Sequence, residues 1–108
     1  MTDHEILAAA RALLADPAKW TQGYVARTAA GEGCDPNDPN AVCWCAQGAA
    51  MRVVDLFPFS AIEALDRAAI DMGWDETADG ESASANLNDH AKHADVLAMY
   101  DRAIEATA

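Results

Sequence analysis

The sequence predicts an α+β domain that is mainly helical, about four helices with a short β-hairpin packed against them. Three observations carry that expectation. Segments with apolar residues at i, i+3, i+4 and i+7 begin and end on capping residues. One stretch alternates in character and runs into a glycine turn. The apolar fraction, 52%, is supplied largely by alanine, the strongest helix former. The 108 residues make one domain, 1–108, long enough for a core without metal or disulfide staples.

Residues 2–16, TDHEILAAARALLAD, read as the first helix. Thr2 and Glu5 form a capping-box pair, and Asp3 with Glu5 places negative charge at the positive end of the helix dipole. Ile6, Leu7, Ala10, Leu13 and Leu14 share one face, and Pro17 closes the segment. In residues 20–34, Tyr24, Ala26 and Thr28 alternate with Val25 and Arg27 before the turn Gly31-Glu32-Gly33. That pattern predicts a short strand or hairpin, which must lean on the helices because a lone strand pair is marginal in water. The DPNDPN run at 35–40 is turn chemistry.

Residues 41–56 predict a second helix through the stripe Val42, Cys45, Ala46, Ala49, Val53 and Leu56. Gly48 inside it costs about 1 kcal/mol relative to alanine, and another backbone passing close would explain its presence. Pro58 ends the segment. Ser60 with Glu63 forms a second capping box and opens a third helix, with Ile62, Leu65, Ala69 and Met72 facing inward and Gly73 as its stop. From Trp74 to Ser84 the chain is acidic and small, a solvated loop by composition. A turn around ANLND then leads to a final helix from about His93 to Ala106, with Val96, Leu97, Tyr100, Ala103 and Ile104 on its apolar face.

Seven Lys and Arg stand against eighteen Asp and Glu, a net charge of −11. Such a surface repels nucleic acid and anionic membrane, so no nucleic-acid partner and no membrane is expected, and it suits a basic protein partner. No apolar run is long enough to span a bilayer, and the N-terminus lacks a basic region followed by an apolar one, so a cytoplasmic location is expected. Three cysteines, two of them in a C-x-C, make a poor disulfide framework and are expected to be free thiols.

The stretch AVCWCAQGAA, residues 41–50, holds the candidate chemistry. On a helix, Cys43 and Cys45 would point about 200° apart, so the expected role of Cys45 is that of a small buried hydrophobe. A thiol-dependent hydrolase or transferase would instead use Cys43 or Cys45. Backbone N–H groups at a helix start would lower the thiol pKa, with His90 or His93 as base and Asn88 or Asp89 as orienter. Zinc would take Cys43, Cys45, His90 and His93, admissible ligands at a spacing that matches no standard finger. Calcium would take the 75–86 loop, where Asp75, Thr77, Asp79, Gly80 and Glu81 occupy EF-hand places. Ser82 and Asn86 break that pattern at its eighth and twelfth positions. Cofactors are therefore expected to be none and metal ligands none. Trp20, Trp44 and Trp74 sit near element boundaries, where packing is the expected role and a partner-facing Trp44 the sharper one.

The succession W-x-x-G, DPNDPNAVCWCAQGA, LND and HADVLAMYDRAI resembles a family of small bacterial and phage proteins of unknown function. Its members carry a WC-x-x-G-A segment followed by a W-N-D turn; Leu87 stands here where the family shows Trp. The resemblance rests on Trp44, Cys45, Gly48, Ala49, Asn88 and Asp89. It implies that the Cys45 segment and the Asn88-Asp89 turn meet in space as a structural or interaction core, and it points to a phage or mobile-element setting. The functional expectation is a small acidic accessory protein that binds another protein. Thiol catalysis through Cys43 or Cys45, with His90 and Asp89, and metal binding are the alternatives.

Overall fold

The computed structural model describes residues 1–108. Five helices surround a small two-stranded sheet: α1 (Asp3–Leu14), β1 (Ala26–Thr28), β2 (Ala41–Trp44), α2 (Ala46–Val54), α3 (Phe59–Asp71), α4 (Ala83–His90) and α5 (His93–Ala106), with one 3-10 turn at Pro17–Lys19. The fold is α+β and mainly helical, with the hairpin packed against the helices. No helix is long and apolar enough to cross a membrane.

Helix α1 starts where its capping pair sets it. The Glu5 N–H donates to Thr2 Oγ1 at 3.2 Å and the Thr2 N–H to Glu5 Oε1 at 2.9 Å. Its buried face, Ile6, Leu7, Ala10 and Leu14, packs on α2 and α5, while α3 packs on α4 and α5. Leu65, Leu87, Val96, Met99 and Tyr100 are fully buried between these layers, and the core is otherwise mostly alanine. Small side chains let the helices approach closely, so the core depends on shape fit more than on volume. Helix α3 ends as expected: Gly73 adopts φ +97°, which only glycine takes without strain, and the Trp74 N–H donates back to Ala69 O at 3.0 Å.

Three expectations about elements are corrected. Residues 41–44 are not helical. They form β2, antiparallel to β1, with Ala26 opposite Trp44, Arg27 opposite Cys43, and Thr28 opposite Ala41 across a bulge. The local Gly31–Gly33 return does exist, with Gly31 N–H to Thr28 O and Thr28 N–H to Glu32 O both at 2.9 Å, but the main partner strand arrives from beyond the DPNDPN loop. That loop is held by Asx turns at Asp35 and Asp38. As a consequence Val42, placed on the apolar stripe by periodicity, is exposed; Leu56, placed on the same stripe, lies beyond the end of α2 and is exposed as well.

The Ser60–Glu63 capping box does not form. Helix α3 starts at Phe59 with no side-chain cap, and Glu63 pairs instead with Arg67 at 3.0 Å on the exposed face. Residues 83–90, taken as loop and turn, are helix α4. Its sequence ASANLNDH has weak intrinsic propensity, so tertiary contacts supply the difference. Ala83 and Leu87 are buried, and the Ser84 N–H donates to Asp66 Oδ1 on α3 at 3.0 Å. The Ser84 hydroxyl donates to the same oxygen, and Gln47 of α2 donates to Ser82 and Ser84 at 2.8 and 2.9 Å.

Gly48 lies where main chain crosses main chain. A Cβ built there would stand 1.9 Å from the Val25 carbonyl oxygen, so no larger residue fits without moving backbone. Gly48→Ala should therefore destabilise the fold by about 3 kcal/mol, the upper end of overpacking costs, read as a fall in the urea midpoint at unchanged m-value. Gly80→Ala, whose Cβ would meet nothing, should cost much less despite its φ of +90°.

Candidate functional site

Asn88, on the last turn of α4, is 1% exposed and saturated with hydrogen bonds. Its Oδ1 accepts from the Trp20 indole N–H at 2.7 Å and from the Ala46 N–H, the first of α2, at 2.9 Å. Its Nδ2 donates to Thr21 O at 3.1 Å and to Asp89 Oδ1 at 3.2 Å. Because the Trp20 and Ala46 groups can only donate, the amide orientation is fixed by chemistry. Its carbonyl accepts from Gln22 Nε2 at 3.0 Å. One side chain thus joins residues 20–22, the start of α2 and the end of α4.

Asp89 continues the junction by accepting the Gly23 N–H at 2.9 Å. Cys45 is the N-cap of α2, and its Sγ accepts the Gly48 N–H at 3.2 Å. The Cys45 N–H donates to Val25 O at 3.1 Å, the carbonyl that crosses Gly48. Cys45, Asp89, Glu81, Gln47 and Tyr24 border a cleft of about 150 Å³. Burial pushes the Cys45 thiol up, against the pull of the Gly48 and Gln47 N–H groups, and the Asp89 carboxylate pushes the same way. A neutral thiol at physiological pH is a poor nucleophile.

The other sequence candidates lie elsewhere. Cys43, on β2 rather than on a helix, is half-buried with its Sγ 4.0 Å from Arg27 O. The His90 ring meets Asn86 O through Nδ1 at 3.0 Å, and His93 meets Leu14 O through Nε2 at 2.6 Å while its ring lies against Trp20. No three His, Cys, Asp or Glu side chains are grouped so as to hold a metal ion. In the 75–86 loop, Thr77 and Glu81 bond to each other rather than opening toward a common centre. Trp44 is 5% exposed, its indole donating to Pro36 O at 2.9 Å beneath the Arg52 guanidinium, so it is a core residue and faces no partner.

Sequence reasoning missed a second feature. Leu56, Phe57, Pro58 and Phe59 turn the corner between α2 and α3 and, with Ile6 and Val53, border a shallow apolar groove of about 680 Å³. Leu56 is 62% and Phe59 78% exposed. The run LFPF is a legible signal, because large apolar residues on both sides of a proline cannot all follow a helix stripe inward.

Two outcomes follow from this geometry. Asn88→Ala leaves the Trp20 and Ala46 donors unpaired in the interior and should lower stability by roughly 3–5 kcal/mol in urea unfolding, whereas removing the exposed His90 ring should change little. The raised Cys45 thiol, with an ordinary value of 9.0, and the buried Tyr100 phenol, pushed far above its ordinary value of 10.0, stay protonated in the fold while the unfolded chain ionises. Their contribution to stability is complete below about pH 9 and is lost as pH rises beyond it, so unfolding midpoints should fall steeply in alkali. A flat profile from pH 8 to 11 would contradict this.

No curated protein and no solved structure matches the chain. A family model described as a family of unknown function, DUF6197, matches residues 1–106. With nearly its whole length covered, the chain belongs to DUF6197.

Proposed function

We propose that this protein works by binding another protein, through the groove at the α2–α3 corner, and that the partner offers an apolar segment flanked by basic residues. The observation that carries the reading is the exposure of Leu56, Phe57 and Phe59 together. Large apolar side chains clustered at the surface cost solubility and are found where something covers them. Asp3 borders the same groove and Asp55 precedes it in the chain, and the net charge of −11 makes the field of the whole molecule negative. An acidic field steers a basic partner toward the groove, and the apolar floor holds it. Three free thiols support a reducing, cytoplasmic place of work.

Thiol catalysis has less support. Cys45 and Asp89 share a cleft, yet the thiol is held neutral, and the rings of His90 and His93 are bonded to carbonyls elsewhere.

The test is fluorescence anisotropy with a labelled amphipathic peptide of leucine and lysine, run as a salt series. Binding should weaken as salt rises and should drop about tenfold or more in a Leu56→Ser, Phe59→Ser double variant. Both side chains are exposed, so the variant's unfolding midpoint should stay close to that of the natural chain. Equal affinity in the double variant, or equal binding of a leucine–glutamate peptide, would discard the groove.

A further inference from the structure

Glu81 ends the acidic loop and stands immediately before Ser82, the N-cap of α4. The loop is folded back on itself by Thr77 N–H to Glu81 O at 2.9 Å, Gly80 N–H to Thr77 O at 3.1 Å, and Glu81 N–H to Thr77 Oγ1 at 3.0 Å. That turn delivers the Glu81 carboxyl to the cleft bordered by Asp89 and Cys45. There its Oε1 is wholly buried and receives no N–H or O–H from any group of the chain. A buried carboxylate oxygen without a donor is costly, and native structures rarely leave one so.

No ion pair repairs it. Asp89 on α4 borders the same cleft as Glu81, and Asp79 of the loop adds a second negative charge. Glu63 and Asp66 of α3 border the opposite side of Glu81, and Cys45 and Tyr24 are the other titratable groups on the cleft. His90, the one basic group facing Glu81, is exposed with its Nδ1 engaged by Asn86. Asp89 is anchored, its Oδ1 holding the Gly23 and Asn88 N–H groups. Two carboxylates that share one small cleft cannot both be ionised cheaply, and a proton held between them would satisfy the orphaned oxygen.

We propose that Glu81 and Asp89 hold one proton between them as a latch that ties the acidic loop to the Cys45 cleft, and that loss of this proton to solvent as pH rises releases the loop. Burial, followed by the charge and hydrogen bond of Asp89, raises the Glu81 carboxyl above its ordinary value of 4.5. A group raised in the fold stabilises fully below its unfolded value, and that stabilisation is lost as pH rises through the folded value. The latch is therefore closed in acid and opens as pH rises through the raised Glu81 value.

Side-chain carboxyl resonances of Glu81 and Asp89, followed by carbon NMR against pH, test the pair in the natural protein, and backbone amide resonances of residues 77–81 report the loop. Glu81 should titrate above its ordinary value of 4.5, with the loop amides moving in the same step. In Glu81→Gln the carboxamide donates to Asp89 at every pH, so the loop amides should keep their low-pH positions throughout. Asp89→Asn, which keeps an oxygen for the Gly23 N–H, should return Glu81 toward 4.5. Titration of Glu81 at its ordinary value would overturn the proposal, as would loop amides in Glu81→Gln that follow pH as in the natural chain.

Discussion

The fold depends on one buried carboxamide. Asn88 satisfies the indole N–H of Trp20, the carbonyl of Thr21 and the first N–H of α2, and so ties both segments to the end of α4. The net value of any one of these bonds is modest, about 1 kcal/mol. Their importance is that each partner, once buried, has no water to turn to. The interior therefore tolerates the joined arrangement and penalises every arrangement in which the segments part. A polar group inside an alanine-rich core supplies the uniqueness that small apolar side chains cannot, since alanine faces slide past one another with little change in contact.

Gly48 is the steric half of the same constraint. The segment after Trp20 must cross α2 to reach β1, and it does so with the Val25 carbonyl resting on the first turn of the helix. That carbonyl accepts the Cys45 N–H, a donor with no partner within α2, and thereby closes β1 onto β2. Sheet, helix start and crossing are thus fixed together. The Tyr100 hydroxyl donates to Ala46 O from the far side, so the first residue of α2 is gripped through its N–H by α4 and through its C=O by α5. The Cys45 thiol fits this account as a cap and spacer whose burial keeps it protonated.

What was legible in the sequence was local. The Thr2–Glu5 pair, the stop at Gly73 and the final helix from His93 to Ala106 each depend on residues within a turn or two of one another. Gly48 was legible for a different reason, since glycine inside a helix has a cost that only a close neighbour explains. Residues 41–44 were not legible because a four-residue apolar run satisfies strand and helix patterns alike, and its partner strand is separated from it by the DPNDPN loop. Helix α4 was hidden because its stability is borrowed from Asp66, Gln47 and the core rather than from its own residues. The meeting of the Cys45 segment with Asn88 and Asp89 came from resemblance, while the hydrogen bonds that make it were beyond any pattern.

The groove and the cleft make different demands on the molecule. At the α2–α3 corner the chain reverses at Asp55, in a left-handed conformation at φ +57°, and the following Leu56 and Phe57 cannot reach a core already filled by Ile62 and Leu65. Their exposure is forced by the turn geometry, and leaving them uncovered beside a highly charged surface sets a cost that the proposed partner would remove. The Glu81 cleft lies on the other side of Gln47, whose amide is held by Ser82 and Ser84. Glu81 also borders a shallow depression that includes Phe57 and Phe59, so the acidic loop touches both features. A change in the position of Glu81 alters the negative charge beside the apolar corner, and with it the field that a basic partner meets. Because Glu81 borders both depressions, the proposed pH response of the loop and the proposed recognition of a partner at the α2–α3 corner would be coupled through a single side chain.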